Sequence, residues 1–237
     1  IDVRLVGSEM CIRDSICVEK NHNSFINEID NVKIHNISGV HPAGNVGVQI
    51  HHIDPVNSGE KVWVVGAEDV ALIGKLFLTG EYNPTRTIAV SGPPVKYPQY
   101  YKTIVGSSLS EIIKDAGIDT DLNLRYINGD VLTGRSVEKD NYLGFYNNTL
   151  SVLREGNQYR MFGWIPFVNN AVPSIYKTSF SWLFPNKKYD LDTNLNGEER
   201  AFVVTGEMED VFPMDIFPMQ LLKECMSGNF EKMENLG

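Results

Sequence analysis

Four side chains in one short span are the first candidates for chemistry: His41, His51, His52 and Asp54 within VHPAGNVGVQIHHIDPV, residues 40–56. Imidazole and carboxylate together can ligate zinc or move a proton. Ligands on a strand favour a spacing of two, which puts them on one face. His51 and His52 are adjacent, and the alternation of Val48, Ile50 and His52 predicts an extended segment over 47–56. On such a segment the two rings point to opposite faces. His41 reaches them only if the glycine loop folds back, and no Cys or Glu stands at a supporting interval. A packing or hydrogen-bonded role is therefore favoured over a metal site. HPAG reads as a turn, with Pro42 fixing one torsion and Gly44 freeing another.

Other constellations fare no better. GNVGVQ has only Gly44 and Gly47 and a strand expected after it, so it is not a dinucleotide fingerprint, and no phosphate-binding G-x-x-x-x-G-K-[ST] occurs. Asp192, Asn194, Asn196 and Gly197 fit the opening of a calcium loop, but the twelfth position is Val203 where a bidentate Glu is needed. An Asx-rich turn is the simpler reading. EMEDVFPMDIFP, residues 207–218, mixes acids with Phe212, Met214, Ile216 and Phe217. Paired acids can do acid–base work, but a methionine-rich apolar surface suits docking better. No nucleophile elbow is present, and Cys225 falls in an ordinary helix stripe. No catalytic residue, no metal ligand and no cofactor-binding residue is assigned.

The elements that would position these groups are legible in places. The 237 residues carry a net charge of −9 and are 42% hydrophobic, enough for real cores. With a pI near 5.0 the chain is a poor partner for nucleic acid. Three cysteines, Cys11, Cys17 and Cys225, show no disulfide or zinc-ribbon spacing and fit a reducing compartment. No apolar run is long enough to span a bilayer. Short strands are expected at 16–20, 31–37 and 62–65, then a helix carrying Val70, Ile73, Leu76 and Phe77, weakened by Gly74 and Gly80. Residues 86–117 predict strand, tight SGPPV turn, strand and helix, with Ser108 and Glu111 as a capping box and Gly117 as terminator. That order opens a β-grasp module, and 124–137 adds a strand and a glycine-bounded turn. NTLSVLREGN and QYRMFGWIPF read as a hairpin, AFVVTG as a strand, 217–228 as a helix with Pro218 in its first turn, and NFEKMENLG as the start of another.

Taken together, HPAGNVGVQIHHIDPV, ALIGKLFLTGEY, RTIAVSGPPVKYP, IVGSSLSEI, INGDVLTGR, YNNTLSVLREG, FGWIP, TNLNGEERA and FPMDIFPMQLL fall in an order that resembles the A-subunit family of the Na+-translocating NADH:quinone reductases. The resemblance runs from about Val18 to Gly237. It implies an α+β, multi-domain fragment: the end of a Rossmann-like domain at 16–38, barrel-sandwich hybrid strands at 39–85, an SLBB-like (soluble-ligand-binding) β-grasp at 86–138, a return hairpin at 139–179, and a truncated C-terminal helical region at 180–237. Residues 1–15 lack a starting Met and amphipathic period, resemble translated adapter sequence, and are set aside.

The resemblance also implies a function. The family's member is peripheral, on the cytoplasmic face of the bacterial inner membrane, in a six-subunit complex that passes electrons from NADH to ubiquinone and exports sodium. Its chief partner is the membrane-embedded B-subunit. It is linked to quinone and carries no redox group of its own, while NADH, FMN, FAD, riboflavin and the [2Fe–2S] cluster belong to other subunits. Two alternatives stand beside it: a flavin or iron–sulfur NADH dehydrogenase subunit of the complex I or Rnf type, and a stand-alone β-grasp ligand-binding module. The HPAG and LSVLREG motifs speak against the last.

Overall fold

A computed structural model describes residues 4–8, 15–19, 29–158, 183, 186, 188–195 and 201–236. The chain divides into two compact units, one of Ile1–Asn83 with Ala201–Gly237, the other of Pro84–Arg200.

The first unit is built on a four-stranded sheet. Strands β1 (Arg4–Ser8), β2 (Ser15–Glu19) and β3 (Lys33–Ile37) are followed by helix α1 (Val46–Ile53), β4 (Val62–Gly66) and helix α2 (Ala67–Thr79). The sheet order is β3-β2-β1-β4; β1 runs antiparallel to both neighbours and β2–β3 is parallel. Four consecutive buried residues, Ser15, Ile16, Cys17 and Val18, show that both faces of β2 are covered. Ile16 and Val18 pack with Val32 and Ile34.

Two sequence expectations need correction here. Arg4–Ser8, within the segment set aside from sequence, form β1, which stands between β2 and β4. Residues 47–56 are not a strand: Val46–Ile53 is helical. The alternation of Val48, Ile50 and His52 does not carry into the backbone: Gln49 is the buried residue of the helix, and Val46, Val48, Ile50, His51 and Ile53 are half-buried. Residues 39–85 therefore hold two helices and one strand, not a run of sandwich strands. The helix expected after β4 does form, and Gly80 ends it in the left-handed conformation.

The second unit is a five-stranded sheet with one helix on it. Strands β5 (Thr85–Ser91) and β6 (Gln99–Ile104), helix α3 (Leu109–Asp115), and strands β7 (Leu124–Asn128), β8 (Arg135–Val137) and β9 (Thr149–Arg154) assemble in the order β6-β5-β9-β7-β8. β5 alternates cleanly, with Arg86, Ile88 and Val90 buried and Thr87 and Ser91 exposed. The α3 stripe of Leu109, Ile112 and Ile113, continued by Ala116, packs on Ile88, Val90, Leu150 and Val152. Leu109, Ile88 and Leu150 are fully buried, each contributing about 1.5–3 kcal/mol of hydrophobic stabilisation. β9 falls in the stretch read from sequence as a return hairpin. It is the middle strand of this sheet, parallel to β5 and antiparallel to β7. Its expected hairpin partner lies outside the described residues. The capping box does not form: the Ser108 hydroxyl bonds the Ser110 hydroxyl at 2.7 Å, and no side chain caps α3.

Residues 201–236 return to the first unit. Helix α4 (Glu207–Val211), absent from the sequence reading, precedes α5 (Pro218–Ser227) and α6 (Phe230–Leu236), which pack together. AFVVTG, expected as a strand, pairs with no strand among the described residues, and Phe202, Val203 and Val204 are exposed. A β-prone composition without a neighbouring edge makes no ladder.

Candidate functional site

The histidine stretch is resolved by α1. His51 and His52 sit near its C-terminal end with ring centroids 5.3 Å apart, edge to face. His52 Nε2 lies 2.8 Å from the Pro213 carbonyl oxygen. A carbonyl only accepts, so that nitrogen carries a proton and is not a metal ligand. Upstream, HPAG forms a tight turn, with Ala43 N bonding Val40 O at 3.0 Å and Asn45 N bonding Pro42 O at 2.8 Å. Buried Gln49 ties α1 back to that turn through Nε2 to the Ala43 carbonyl at 3.3 Å. Asp54 closes the helix through its backbone amide. His41, His51, His52 and Asp54 are not gathered: among the described residues no group of three or more His, Cys, Asp or Glu could hold a metal ion. The 2.8 Å bond instead joins two motifs that looked separate in sequence, HHID and FPMD.

The supposed calcium loop serves a different end. Asn194 turns its backbone amide and its Nδ2 onto the two carboxylate oxygens of Asp192, at 3.1 and 2.9 Å. The carboxylate that would hold the ion is thus engaged by its neighbour. Next to it Arg125 pairs with Glu155 through both Nε, at 2.8 Å, and Nη2. Thr193 Oγ1 donates to Glu155 at 3.0 Å and accepts from Gly156 N at 2.8 Å. The result is a polar clasp fixing residues 192–194 to the end of β9. Asn196 and Gly197 lie outside the described residues.

One feature escaped sequence reading altogether. Buried Arg86 donates from Nη1 to the Phe145 carbonyl and sets its guanidinium 5.6 Å from the Phe145 ring centroid. Asn128, also buried, donates Nδ2 to the Tyr142 carbonyl at 3.1 Å. With buried Leu143 these pin the loop while Tyr142, Phe145 and Tyr146 face solvent. Three aromatics among Gly and Asn in LGFYNN and the residue before it were the signal, overlooked because it has no period. Tyr126, buried in the core beneath, has its phenol pushed above the usual value by desolvation.

In residues 207–218 the apolar side chains are partly outward. Phe212 is 38% exposed and Phe217 56%, while Met214 and Ile216 are half-buried and Met219 is buried. Met219 N bonds Glu209 at 3.4 Å and Phe217 N bonds Leu236 O at 3.2 Å, so α4, α5 and α6 are tied into one face.

A mixed α/β unit and a β-grasp with a single packed helix make this an α+β chain of two compact units. Comparison with known proteins makes this specific. The sequence profile of the NqrA second alpha/beta domain matches residues 9–82, and that of the NQRA C-terminal (SLBB) domain matches 87–139. The A-subunit of the Na(+)-translocating NADH-quinone reductase of Haemophilus influenzae strain PittGG is 40% identical over 225 residues, covering 94% of this chain and 49% of that protein. Its counterpart in Shewanella frigidimarina is 37% identical over 209 residues, 87% of this chain and 46% of the relative. That of Neisseria meningitidis serogroup B is 38% identical over 208, again 87% and 46%. The chain belongs to the NqrA family. It spans about half the length of the curated relatives it matches. Those relatives are bacterial and are named as one subunit of an oxidoreductase complex. The α/β profile also covers 9–15, part of the segment set aside from sequence, and describes 9–82 as α/β, in keeping with the helices found there.

Proposed function

We propose that the chain acts within a peripheral subunit of the sodium-pumping NADH:quinone oxidoreductase, supporting electron transfer from NADH to ubiquinone coupled to Na+ export. The observation that carries this is collinearity: two profiles of one family match in tandem, and relatives bearing that subunit's name align over 94% of the chain. The subunit works as a scaffold associated with quinone and holds no redox group. Flavins and the iron–sulfur cluster sit on other subunits. It docks on the membrane-embedded B-subunit at the cytoplasmic face of the inner membrane. Among the described residues no helix is long and apolar enough to cross a membrane, in keeping with attachment through a partner. The Phe212–Phe217 stretch supports docking, because it offers apolar side chains to solvent on a face tied down from behind.

The test is NADH-driven, sodium-stimulated quinone reduction in membranes from cells with and without the full-length gene. Sodium-stimulated activity that requires the gene is expected. Activity indifferent to sodium, with flavin or iron in the purified subunit, would overturn the reading in favour of a complex I or Rnf type.

A further inference from the structure

The start of α1 brings together free donors and a free acceptor. The helix, Val46–Ile53, is eight residues long. The first amides of any helix find no carbonyl inside it. Here Asn45 N is taken by the Pro42 carbonyl at 2.8 Å, and Gln49 N by the Asn45 carbonyl at 3.0 Å. The amides of Val46, Gly47 and Val48 lie between them. No side chain caps the helix, and its first turn holds no acidic residue. The approach is open, since a Cβ added at Gly44 or Gly47 would meet nothing within 4 Å.

Gln49 points to a ligand independently. It is 4% exposed, and its Oε1 is buried without a hydrogen-bond partner. Its Nε2 donates to the Ala43 carbonyl at 3.3 Å, which holds the amide head at the turn before the helix. A side chain at the fourth helical position leans toward the N-terminus, so Oε1 is carried to the end where the free amides begin. Folded proteins leave few buried acceptors unpaired.

These groups select a ligand by its hydrogens. The amides only donate and call for a negatively charged oxygen, which the helix dipole also favours. Oε1 only accepts and calls for an N–H or O–H. An oxyanion that keeps a proton meets both demands. Hydrogen phosphate does so at neutral pH; sulfate, of similar size and charge, does not. A buried water would serve Oε1 and bring no charge to the dipole.

We infer that the 42–45 turn and the first turn of α1 bind a protonated oxyanion of the hydrogen phosphate type. The Val46, Gly47 and Val48 amides hold its charge, and Gln49 Oε1 accepts its O–H. This goes beyond the function proposed above and is tested apart from it.

The experiment is calorimetric titration of the full-length gene product with phosphate, and separately with sulfate, in a buffer free of both. Phosphate should bind about tenfold or more tightly than sulfate, because only phosphate can pair with Oε1. Amide exchange in the peptide covering 42–50 should slow with phosphate. Gly47→Asp places a carboxylate beside the amides as an internal competitor. It should abolish phosphate binding without lowering the unfolding temperature, because an acid in the first turn suits the dipole. Gln49→Met removes the acceptor and should bring phosphate and sulfate within about twofold of each other. If Gln49→Met does not fold, Gly47→Asp decides alone. No saturable binding up to about 10 mM phosphate overturns the inference. Sulfate bound as tightly as phosphate by the unaltered protein overturns it, as does phosphate still bound by Gly47→Asp. Protection confined to peptides away from 42–50 puts the anion elsewhere and overturns it too.

Discussion

Gly92 is where one methyl group should do most harm. It follows β5 with φ +136°, and a Cβ built there would lie 1.9 Å from the Val152 carbonyl oxygen and 2.8 Å from its carbon. Real Cβ atoms do not come within 3.0 Å, so the backbone of β9 would have to retreat by about 1 Å. β9 is the middle strand, with Leu150, Ser151, Val152 and Leu153 all buried, and it cannot yield freely. Retreat would break the Ala89–Thr149, Val90–Leu150 and Ser91–Ser151 register. Backbone strain of about 1–3 kcal/mol plus two ladder bonds at about 1 kcal/mol each gives Gly92→Ala a loss of about 3–5 kcal/mol. For a unit of this size that lowers the melting temperature by about 10–20 °C. Gly106→Ala is the control: φ is +76° but nothing lies within 4 Å, so only the conformational term of about 1–2 kcal/mol applies. Calorimetry of both variants, with amide exchange read on peptide 149–154 to assign the transition, decides the matter. Equal losses would refute the steric account and leave only backbone conformation.

Further outcomes can be checked in the same preparations. Arg125→Met should cost only about 1 kcal/mol in urea unfolding, because the Arg125–Glu155 pair is 42% and 24% exposed and solvent screens it; a loss above about 3 kcal/mol would mean the clasp is worth more than its exposure allows. Burial, and then the charge of Lys33, hold the His35 imidazole below its ordinary value of 6.5. The unfolded chain therefore takes up that proton first, and stability should fall as pH drops below 6.5 toward the folded value; His35→Gln should flatten that slope, and an unchanged slope would contradict the assignment. Phe212→Ser with Phe217→Ser should release the protein from the complex while shifting unfolding by about 1 kcal/mol or less, as both rings are partly exposed; normal co-purification would remove them from the docking face.

How much could be read in advance varied by element. The α3 stripe of Leu109, Ile112 and Ile113 was plain because a helix bearing one apolar face repeats at three and four, and Gly117, at φ +66°, marked its end. The α1 segment misled because its alternating Val48, Ile50 and His52 imitate a strand, and its buried residue is the polar Gln49. AFVVTG misled for the opposite reason: its composition is β-prone, but a strand exists only with a partner. Among candidate groups, the acidic and apolar mixture of 207–218 was visible as composition. The Arg86–Phe145 contact was not, since it joins residues 59 apart.

By itself the sequence determined the local chemistry: an acidic chain, a β-grasp opening with its helix, a helical C-terminal segment, and motifs specific enough to name a family. Local propensity and side-chain period are properties of neighbours along the chain, so they are written in it. Only the tertiary structure decided which strands pair, that β9 enters between β5 and β7, and that His52 reaches Pro213 across 161 residues and not a metal. Such contacts depend on loop closure and on which surfaces are left to meet, and no window of sequence contains both partners.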